Sequence, residues 1–175
     1  MRSVHARDHH NCGTERSRED QLANQYLLSL REGRVFINAD EIAGELSSDL
    51  GRGRLDLQAG REMLALIDGL AAARREFMFE TTLASLRYAR AIRTWRSLGY
   101  RVGLVYLRLQ SVEVSIERVR RRVAEGGHDI PEATIRRRYS RSTEYLETIY
   151  KRLVNEWYIW DSLEGEFRPA EAWDD

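Results

Sequence analysis

Cysteine, proline and long apolar runs are scarce in this chain, and these shortages exclude whole classes of protein. A single cysteine, Cys12, cannot form the internal disulfide framework that small secreted domains need. No apolar run approaches the roughly 20 residues of a membrane-spanning helix. The first residues also carry charge where a secretory signal would be apolar. The composition therefore predicts a cytoplasmic globular protein.

Lysine is almost absent, and so is net charge. Of the 28 basic residues 27 are arginine, Lys151 being the exception, and they balance 28 acidic residues. A molecule without net charge has no overall field to gather nucleic acid or an anionic membrane. The arginines nevertheless crowd between Arg118 and Arg141, and this local excess of cations indicates an anionic ligand or partner.

The first 22 residues lack any apolar periodicity. The segment MRSVHARDHHNCGTERSREDQL follows neither the strand period of two nor the helical period of 3.6. We therefore expect residues 1–22 to be unstructured, with no strand of the core, and residues 23–175 to form one domain. This segment contains a cluster without the second paired unit of a zinc site, so we predict no metal site there. The cluster consists of His5, His9, His10 and Cys12.

The rest of the chain alternates between strand and helix patterns. Short apolar runs predict strands at 34–38, 76–80, 101–109 and 157–161, the last as a closing strand. Apolar residues at helical spacing predict helices over 55–75, from Tyr88 to a stop at Gly99, around Ile116 to Val123, and from Pro131 to Leu153. This alternation predicts an α/β fold, a three-layer doubly wound parallel sheet with helices on both faces.

Three segments carry a more specific signal: FINADEIA at 36–43, FETTL at 79–83 and ERVRRRVAEGGHDIPEATIRRRY at 117–139. Their order and spacing resemble those of the zeta-toxin-like kinases, and the resemblance spans about residues 22–162. That P-loop family includes enzymes that phosphorylate UDP-N-acetylglucosamine. The resemblance implies a P-loop NTPase fold of the kinase type with a helical, arginine-rich lid. We expect His128, between Gly127 and Asp129, to be a turn residue at the corner of that lid and not a base or a metal ligand. It also implies ATP or GTP as donor, Mg²⁺ as cofactor, a small hydroxyl substrate such as a nucleotide sugar, and an antitoxin protein as partner.

The resemblance assigns roles to residues at the ends of two strands. Asp40 stands where the family keeps the carboxylate that accepts a proton from the substrate hydroxyl. Glu80, Thr81 and Thr82 stand where the family binds its substrate and organises the magnesium-phosphate end. Ligands of open α/β sheets collect beyond the carboxyl ends of strands, which agrees with these positions. The alternatives are that Asp40 caps a helix beginning at Glu41 and that Glu80 is a strand-edge carboxylate.

Four arginines fall in the family's mobile lid: Arg118, Arg122, Arg137 and Arg138. The resemblance implies that Arg122 and Arg138 act on the phosphoryl group during transfer and that Arg118 and Arg137 bind phosphate. Arginine suits both tasks because its planar fork holds phosphate oxygens in pairs. The alternative is a solvated helix face on which arginines pair with acids at helical spacing. The acids in question are Glu113, Glu117, Glu125 and Glu132.

The phosphate-binding loop of this class is absent from the sequence. Such enzymes need G-x-x-x-x-G-K-[ST] after the first strand, so that backbone N–H groups and a lysine hold the β and γ phosphates. The chain has no such motif, and its only lysine, Lys151, falls on a late amphipathic helix. We therefore expect severely weakened nucleotide binding and little turnover.

The genetic code offers a hypothesis for this gap. Residues 9–21, HHNCGTERSREDQ, have synonymous codons that read one base later as I-I-I-A-G-P-N-G-A-G-K-T, an apolar strand running into a complete loop. The lysine of that segment would lie about nineteen residues before Asn38, where the resemblance places it. We hypothesise that a frameshift, natural or a sequence error, replaced the loop and that the frame is restored near Leu22. The coding DNA tests this.

Two functions from different classes follow from these observations. The first is an ATP- or GTP-dependent phosphotransferase of a small hydroxyl substrate, impaired by loss of the loop. The second is a non-catalytic module that uses the zone from Arg118 to Arg141 to bind nucleic acid or an acidic protein. Against nucleic acid stand the neutral total charge and the lack of aromatic residues between those arginines.

Overall fold

The fold, seen in a computed structural model, is built on one sheet of six strands. The structure describes residues 2–6, 28–31, 33–46, 52–124, 129–163 and 166–174. The strands are β1 Arg2–Ala6, β2 Val35–Ile37, β3 Phe77–Thr81, β4 Val102–Arg108, β5 Glu156–Leu163 and β6 Glu166–Asp174. Their order across the sheet is β2-β3-β1-β4-β5-β6. Among these strands β6 runs antiparallel to its neighbour and the other pairings are parallel.

Helices connect the strands over both faces of the sheet. They are α1 Ala39–Glu45, α2 Arg52–Ala72, α3 Arg87–Ser97, α4 Val112–Ala124 and α5 Glu132–Thr148, followed by a 3₁₀ turn at Tyr150–Arg152. From β2 to β3, from β3 to β4 and from β4 to β5 the chain moves across the sheet in the same direction. Right-handed crossovers therefore put α2, α3 and α5 on one face. The connection from β1 to β2 runs the other way, which puts the helical turn at 28–31 on the opposite face. The predicted three-layer, doubly wound arrangement is confirmed. Within the described ranges no helix is both long and apolar enough to cross a membrane.

Two apolar clusters, one on each face, hold the layers together. Beneath α2, α3 and α5, Trp95 packs edge-on against two rings of β3, its centroid 5.3 Å from that of Phe77 and 6.0 Å from that of Phe79. On the other face Met78 and Val105 pack with Leu30. Because β3 is covered on both faces, its alternating side chains enter two buried environments, which explains the unbroken apolar run from Phe77 to Phe79.

The centre of the sheet is occupied by β1, where the sequence predicts no strand. Its backbone pairs with β3 on one side and β4 on the other, and Val4 stands opposite Phe79 and Leu104. The expectation of an unstructured segment is therefore wrong for residues 2–6, and residues 7–22 lie outside the described part of the chain. The physical reason is that β3 and β4 flank a gap one strand wide and present rows of backbone N–H and C=O groups. Any extended segment without proline can satisfy these groups, whatever its side-chain pattern.

The sheet also ends one strand later than the sequence predicts. The expected closing strand at 157–161 is the interior strand β5, and β6 folds back on it as the edge. β6 contains Pro169, which stands opposite Trp160 at a break in the register of the two strands. Proline is tolerated at an edge or a bulge, where its missing N–H removes no ladder bond. Because β6 contains this proline and several charged residues, its sequence has no apolar run that would predict a strand.

The predicted stop of α3 at Gly99 is confirmed. Gly99 has a φ of +84°, and its N–H donates to the Arg96 carbonyl over 2.9 Å. The next N–H, that of Tyr100, donates to the Trp95 carbonyl over 3.0 Å. This pair of bonds is the Schellman ending of a helix, which requires a residue in the left-handed region. The turn predicted at Gly126, Gly127 and His128 lies outside the described residues.

Candidate functional site

The carboxyl ends of β2 and β3 lie side by side and bring Asn38 and Glu80 together. Asn38 follows β2 directly, and Glu80 is the penultimate residue of β3. Asn38 Nδ2 donates to Glu80 Oε2 over 3.2 Å, and Arg31 Nη2 donates to Glu80 Oε1 over 3.4 Å. The Glu80 side chain is only 13% exposed, so these two donors from different elements hold the carboxylate in one orientation.

Asp40, the predicted proton acceptor, belongs to the first turn of α1. The N–H of Ile42 donates to the Asn38 carbonyl over 3.2 Å, so the helix begins where β2 ends. This places the backbone of Asp40 at the same edge of the sheet as Glu80, while its side chain lies outside the described part of the structure. The alternative that Asp40 caps a helix beginning at Glu41 is wrong in register, because α1 begins at Ala39.

The turn after β3 carries Thr81 and Thr82. Thr81 Oγ1 accepts a hydrogen bond from the N–H of Leu83 over 3.2 Å, and Leu83 has a φ of +57°. A buried leucine in the left-handed region marks a turn that its surroundings constrain. Burial raises the pKa of Tyr88, while its hydrogen bond with Thr81 acts in the opposite direction. The Thr81 hydroxyl thus serves the turn, and the exposed Thr82 lines the cleft described below.

The arginine-rich helices α4 and α5 pack on each other as a pair. Their contact is made by three apolar side chains, Ile116, Val119 and Ile135. Arg136 binds Glu132 at 2.8 Å and Glu113 at 3.1 Å, and Arg120 lies 3.6 Å from Glu132 and 4.0 Å from Glu117. For Arg120 and Arg136 the alternative of an acid-paired, solvated helix face is therefore the observed arrangement. Exposed pairs of this kind contribute little to stability.

Two of the four predicted lid arginines, Arg118 and Arg122, are half-buried. Arg118 Nη2 donates to Ser162 Oγ over 3.1 Å, and its guanidinium carbon lies 5.1 Å from the centroid of the Phe167 ring. Arg118 therefore contacts the end of β5 and the start of β6. Arg122 is half-buried in the last turn of α4.

The other two, Arg137 and Arg138, are exposed on α5. In the part of the chain that the structure describes, neither side chain makes a hydrogen bond or an ion pair. Arg138 lines the same cleft as Thr82, whereas Arg137 is not among the residues of its wall. Of the predicted arginines, Arg138 is thus the one that lines this cleft.

The cleft lies between α4, α5 and the end of β4 and has a volume of about 70 Å³. Its polar wall consists of Thr82, Tyr106, Ser115, Arg138, Tyr139 and Ser142. The hydroxyl oxygens of Tyr106 and Ser142 are 2.9 Å apart, and the Tyr139 hydroxyl donates to the Leu109 carbonyl over 3.1 Å. A guanidinium beside several hydroxyl groups suits a small oxyanion or a hydroxyl-bearing fragment.

Sequence reasoning missed Asn38, Arg31 and Tyr106 as site residues. Two of them could have been found from the sequence. Asn38 is the last residue of the predicted strand 34–38, and Tyr106 is two residues after the buried Leu104, so both point to the same face of their strand. Arg31 could not, because its partner Glu80 is 49 residues further along the chain. Contacts across that distance are created by the crossover between strands.

A second charged network joins β4, β5, β6 and the 3₁₀ turn, and it includes the only lysine of the sequence. Arg108 binds both carboxylate oxygens of Asp161, at 2.6 and 3.0 Å, and also Glu171 at 2.9 Å. Glu171 in turn accepts from Lys151 Nζ at 3.1 Å, and Lys151 also binds Glu147 at 2.8 Å. The hydrogen bond to Asp161 raises the pKa of Arg108 above its usual value. Lys151 therefore fastens β6 and is not positioned as a phosphate-binding lysine.

Comparisons with known proteins identify a family. The family model described as zeta toxin matches residues 54–161, which is more than half of the chain. A Haemophilus influenzae protein described as uncharacterized is 28% identical over 128 residues, which cover 73% of this chain and 89% of that protein.

Solved structures share the fold. A structure from the PezAT chromosomal toxin-antitoxin system of Streptococcus pneumoniae is similar with a TM-score of 0.64 and 13% identity, over 98% of this chain and 71% of that one. A chain in the Pnkp1/Rnl/Hen1 RNA repair complex is similar with a TM-score of 0.53 and 14% identity, over 86% of this chain and 44% of that one. At such identities the likeness shows the fold alone. Taken with the family-model match, it shows that this chain belongs to the zeta-toxin family and has that family's P-loop kinase fold.

Proposed function

We propose that this chain is a zeta-toxin-like phosphotransferase with an assembled acceptor side and a defective donor side. It would bind a small hydroxyl substrate, such as a nucleotide sugar, and bind ATP or GTP only weakly. The observation that carries the proposal is the combination of the fixed Glu80 carboxylate and the Arg138 cleft at one sheet edge with a sequence that has no phosphate-binding loop. Ligands of open α/β sheets bind at this edge.

On the acceptor side, where the hydroxyl substrate would bind, the proposal gives each residue a role that agrees with its position. With a phosphoryl donor in place, Asp40 in the first turn of α1 would accept the proton of the attacking hydroxyl. Glu80 and Thr82 orient the acceptor, and Thr81 supports them through the turn. Arg138, with Arg122 from α4, offsets charge on the phosphoryl group.

Arg118 and Arg137 are both predicted to bind phosphate, and this stays a prediction. Their positions suit the role to different degrees. Arg118 is already held by Ser162 and Phe167 at the β5–β6 end of the sheet. Arg137 is exposed on α5 and can reach an anion if the helix pair moves. Arg137 is therefore the more suitable of the two.

On the donor side, the residues present do not fit ATP or GTP with Mg²⁺. The sequence has no G-x-x-x-x-G-K-[ST], and Lys151 is bound to two glutamates. Within the described residues no three His, Cys, Asp or Glu side chains form a group that could hold a metal ion. His9, His10 and Cys12 lie outside those residues. We therefore assign no step of phosphoryl transfer to a bound nucleotide in this chain.

The composition of β1 supports the frameshift hypothesis. Its place between β3 and β4 is the interior of a parallel sheet, where strands are normally continuous apolar runs because both faces are covered. The sequence RSVHA has Arg2, Ser3 and His5 at such positions. The alternative-frame run I-I-I-A has the composition that the position requires.

Isothermal titration of the purified protein tests both sides of the site. With ATP and Mg²⁺ we expect no binding at low micromolar affinity, because loss of the loop removes several charge-assisted hydrogen bonds of about 1.5–3 kcal/mol each. With UDP-N-acetylglucosamine we expect binding that Glu80→Gln and Arg138→Ala each weaken about tenfold. Arg141→Ala is the matched control, since Arg141 is an exposed arginine of α5 outside the cleft wall.

Two outcomes would contradict the proposal separately. Tight binding of ATP would remove the argument from the missing loop and leave the acceptor side untouched. Sugar-nucleotide binding that neither variant weakens, or none at all, would remove the acceptor side.

The alternative of a non-catalytic module has partial support. Arg137, Arg138 and Arg141 are exposed on α5, but Arg120 and Arg136 are paired with acids, which reduces the cationic surface available to nucleic acid. Nanomolar affinity for random oligonucleotides at physiological salt would favour that module over the phosphotransferase. The toxin-antitoxin system of the PezAT structure supports an antitoxin protein as partner. The cytoplasmic location stays a prediction.

A further inference from the structure

The solvent face of α3 carries four arginines and no acid, and one of the four, Arg96, donates to the Leu153 carbonyl. Arg87, Arg90 and Arg93 are exposed and follow one another at intervals of three residues, while Ala89, Ile92 and Trp95 form the buried face. Over the part of the chain that the structure describes, none of the three guanidinium groups makes a hydrogen bond or an ion pair. The surrounding segment 81–112 contains six arginines and no aspartate or glutamate.

This arrangement works against the stability of the helix itself. Like charges three residues apart on a helix repel each other, and Arg87 at the first position opposes the positive end of the helix dipole. No acidic residue in the first turn offsets it. Arg120 of α4 and Arg136 of α5 differ, because each has a glutamate within 4 Å. A row of like charges that is unfavourable for its own helix, and that no described residue neutralises, is expected where a surface serves function.

The row is also held rigidly and bordered by apolar side chains. At the end of α3, Arg74 Nη1 donates to the Leu98 carbonyl over 2.9 Å, and Arg96 Nη1 donates to the Leu153 carbonyl over 2.8 Å. Leu86 and Leu98, which flank the helix, are 46% and 37% exposed. Docking on such a surface needs little ordering of the backbone, which favours affinity.

We propose that the solvent face of α3 is a docking surface for an acidic amphipathic helix of a partner protein. Arg87 and Arg93 are about 9 Å apart along the helix axis, a span that carboxylates at i, i+3 or i+4, and i+7 of a partner helix can match. Leucines at the two ends would cover apolar residues of the same partner helix. Arginine is enriched in protein interfaces where lysine is depleted, which agrees with the composition of this chain.

Nucleic acid fits this surface less well. Single-strand binders stack bases on exposed aromatic rings, but on α3 Trp95 is buried and Tyr88 packs against Phe79 with ring centroids 4.9 Å apart. Three phosphate contacts alone would lose affinity steeply as salt rises. None of the three arginines lines the cleft at the sheet edge, so the proposal does not rest on the phosphotransferase function.

Fluorescence anisotropy with the full chain tests the proposal. The probe is a labelled synthetic helical peptide of 20 residues with glutamates at i, i+4 and i+7 between two leucines, and its counterpart has glutamine at those three positions. We expect the glutamate peptide to bind, and the glutamine peptide and the double variant Arg90→Glu/Arg93→Glu each to bind at least about tenfold more weakly. The matched control is Arg61→Glu on α2, an exposed arginine that also has no side-chain partner in the described residues, and it should change binding less than twofold.

Thermal unfolding of the variants separates loss of docking from loss of fold. The double variant makes the pairs of residue 90 with Arg87 and of residue 93 with Arg96 attractive and leaves one like-charged pair, at 90 and 93, so its melting temperature should equal or exceed that of the parent protein. Equal binding of both peptides, undiminished binding by the double variant, or no binding at millimolar peptide would overturn the proposal. Tighter binding of a 20-nucleotide DNA or RNA through the same arginines would assign the surface to nucleic acid. Salt-sensitive self-association that the double variant abolishes would assign it to a second copy of the chain.

Discussion

Two glycines show how backbone conformation acts at the scale of a single residue. Gly99 ends α3 with a φ of +84°, and Gly69 lies exposed within α2. A Cβ added at either position would meet nothing within 4 Å. The effect of a side chain there is therefore decided by the backbone alone.

Alanine at these positions should have opposite effects on the free energy of unfolding. Gly99→Ala should destabilise the protein by about 1–2 kcal/mol, because an L-residue is strained in the left-handed region. Gly69→Ala should stabilise it by roughly 0.5–1 kcal/mol, because glycine is a poor helix former. Urea unfolding of the two variants beside the parent protein measures both, and equal signs would contradict the assigned helix ending.

At the scale of an element, the edge strand β6 is fastened to the rest of the sheet by charge. Glu171 of β6 is bound by Lys151 from the 3₁₀ turn and by Arg108 from β4. The hydrogen bonds from Lys151 and Arg108 lower the pKa of Glu171 below its usual value of 4.5. The folded protein therefore favours the ionised carboxylate, and the stabilisation belongs to that form.

The contribution of Glu171 to stability should depend on pH in one direction. A carboxyl with a lowered pKa in the folded state stabilises above the unfolded pKa of about 4.5, and this stabilisation is lost as the pH falls through the lower folded value. At pH 7 Glu171→Gln should cost about 0.5–1 kcal/mol, the range of a well-formed surface pair. Urea unfolding of parent and variant at several pH values between 7 and 3 should show this difference shrink below pH 4.5.

The matched control for this experiment is Glu144→Gln. Glu144 is exposed on α5 and its side chain has no partner among the described residues. Its replacement should change the unfolding free energy little at any of these pH values. A pH-independent cost of Glu171→Gln would mean that β6 is held by packing and not by these charges.

For the whole molecule, the missing loop and the polar central strand point to the same repair. Replacing residues 9–21 by the alternative-frame segment I-I-I-A-G-P-N-G-A-G-K-T would supply an apolar strand, which we expect to displace residues 2–6 from the place between β3 and β4, and a lysine near Asp40 and Glu80. We expect the repaired protein to be more stable, to bind ATP and to show turnover. In that protein Asp40→Asn should lower turnover about 10²-fold or more and leave ATP binding nearly intact. Steady-state kinetics and titration measure the two quantities.

Two arginine variants of the repaired protein test the role of the lid. Arg122→Ala and Arg138→Ala should also reduce turnover, because lid cations balance charge on the moving phosphoryl group. If the asparagine variant transfers phosphate as fast as its parent, Asp40 has no part in the chemistry. If the repaired protein folds but does not bind ATP, the frameshift hypothesis loses its functional support.

Much of the fold and part of the site could be predicted because they depend on local patterns. The apolar run of β3, the stripe around Trp95 and the glycine at position 99 are each encoded within a few neighbouring residues. β1 and β6 were not predicted, because their places depend on backbone groups of strands distant in the chain. The same holds for the Arg31 contact with Glu80, whose two residues are 49 positions apart.

The sequence by itself determined the α/β class, the doubly wound parallel arrangement, the family and the absence of a phosphate-binding loop, since these follow from periodicity and motif. Only the tertiary structure decided which charges meet. It paired Arg120 and Arg136 with glutamates, placed Arg138 at the cleft and left Arg87, Arg90 and Arg93 exposed. The physical reason is that the sequence does not show what surrounds an arginine in the fold. Its electrostatic interaction energy depends on the acids, rings and water that the fold places within a few ångströms of it.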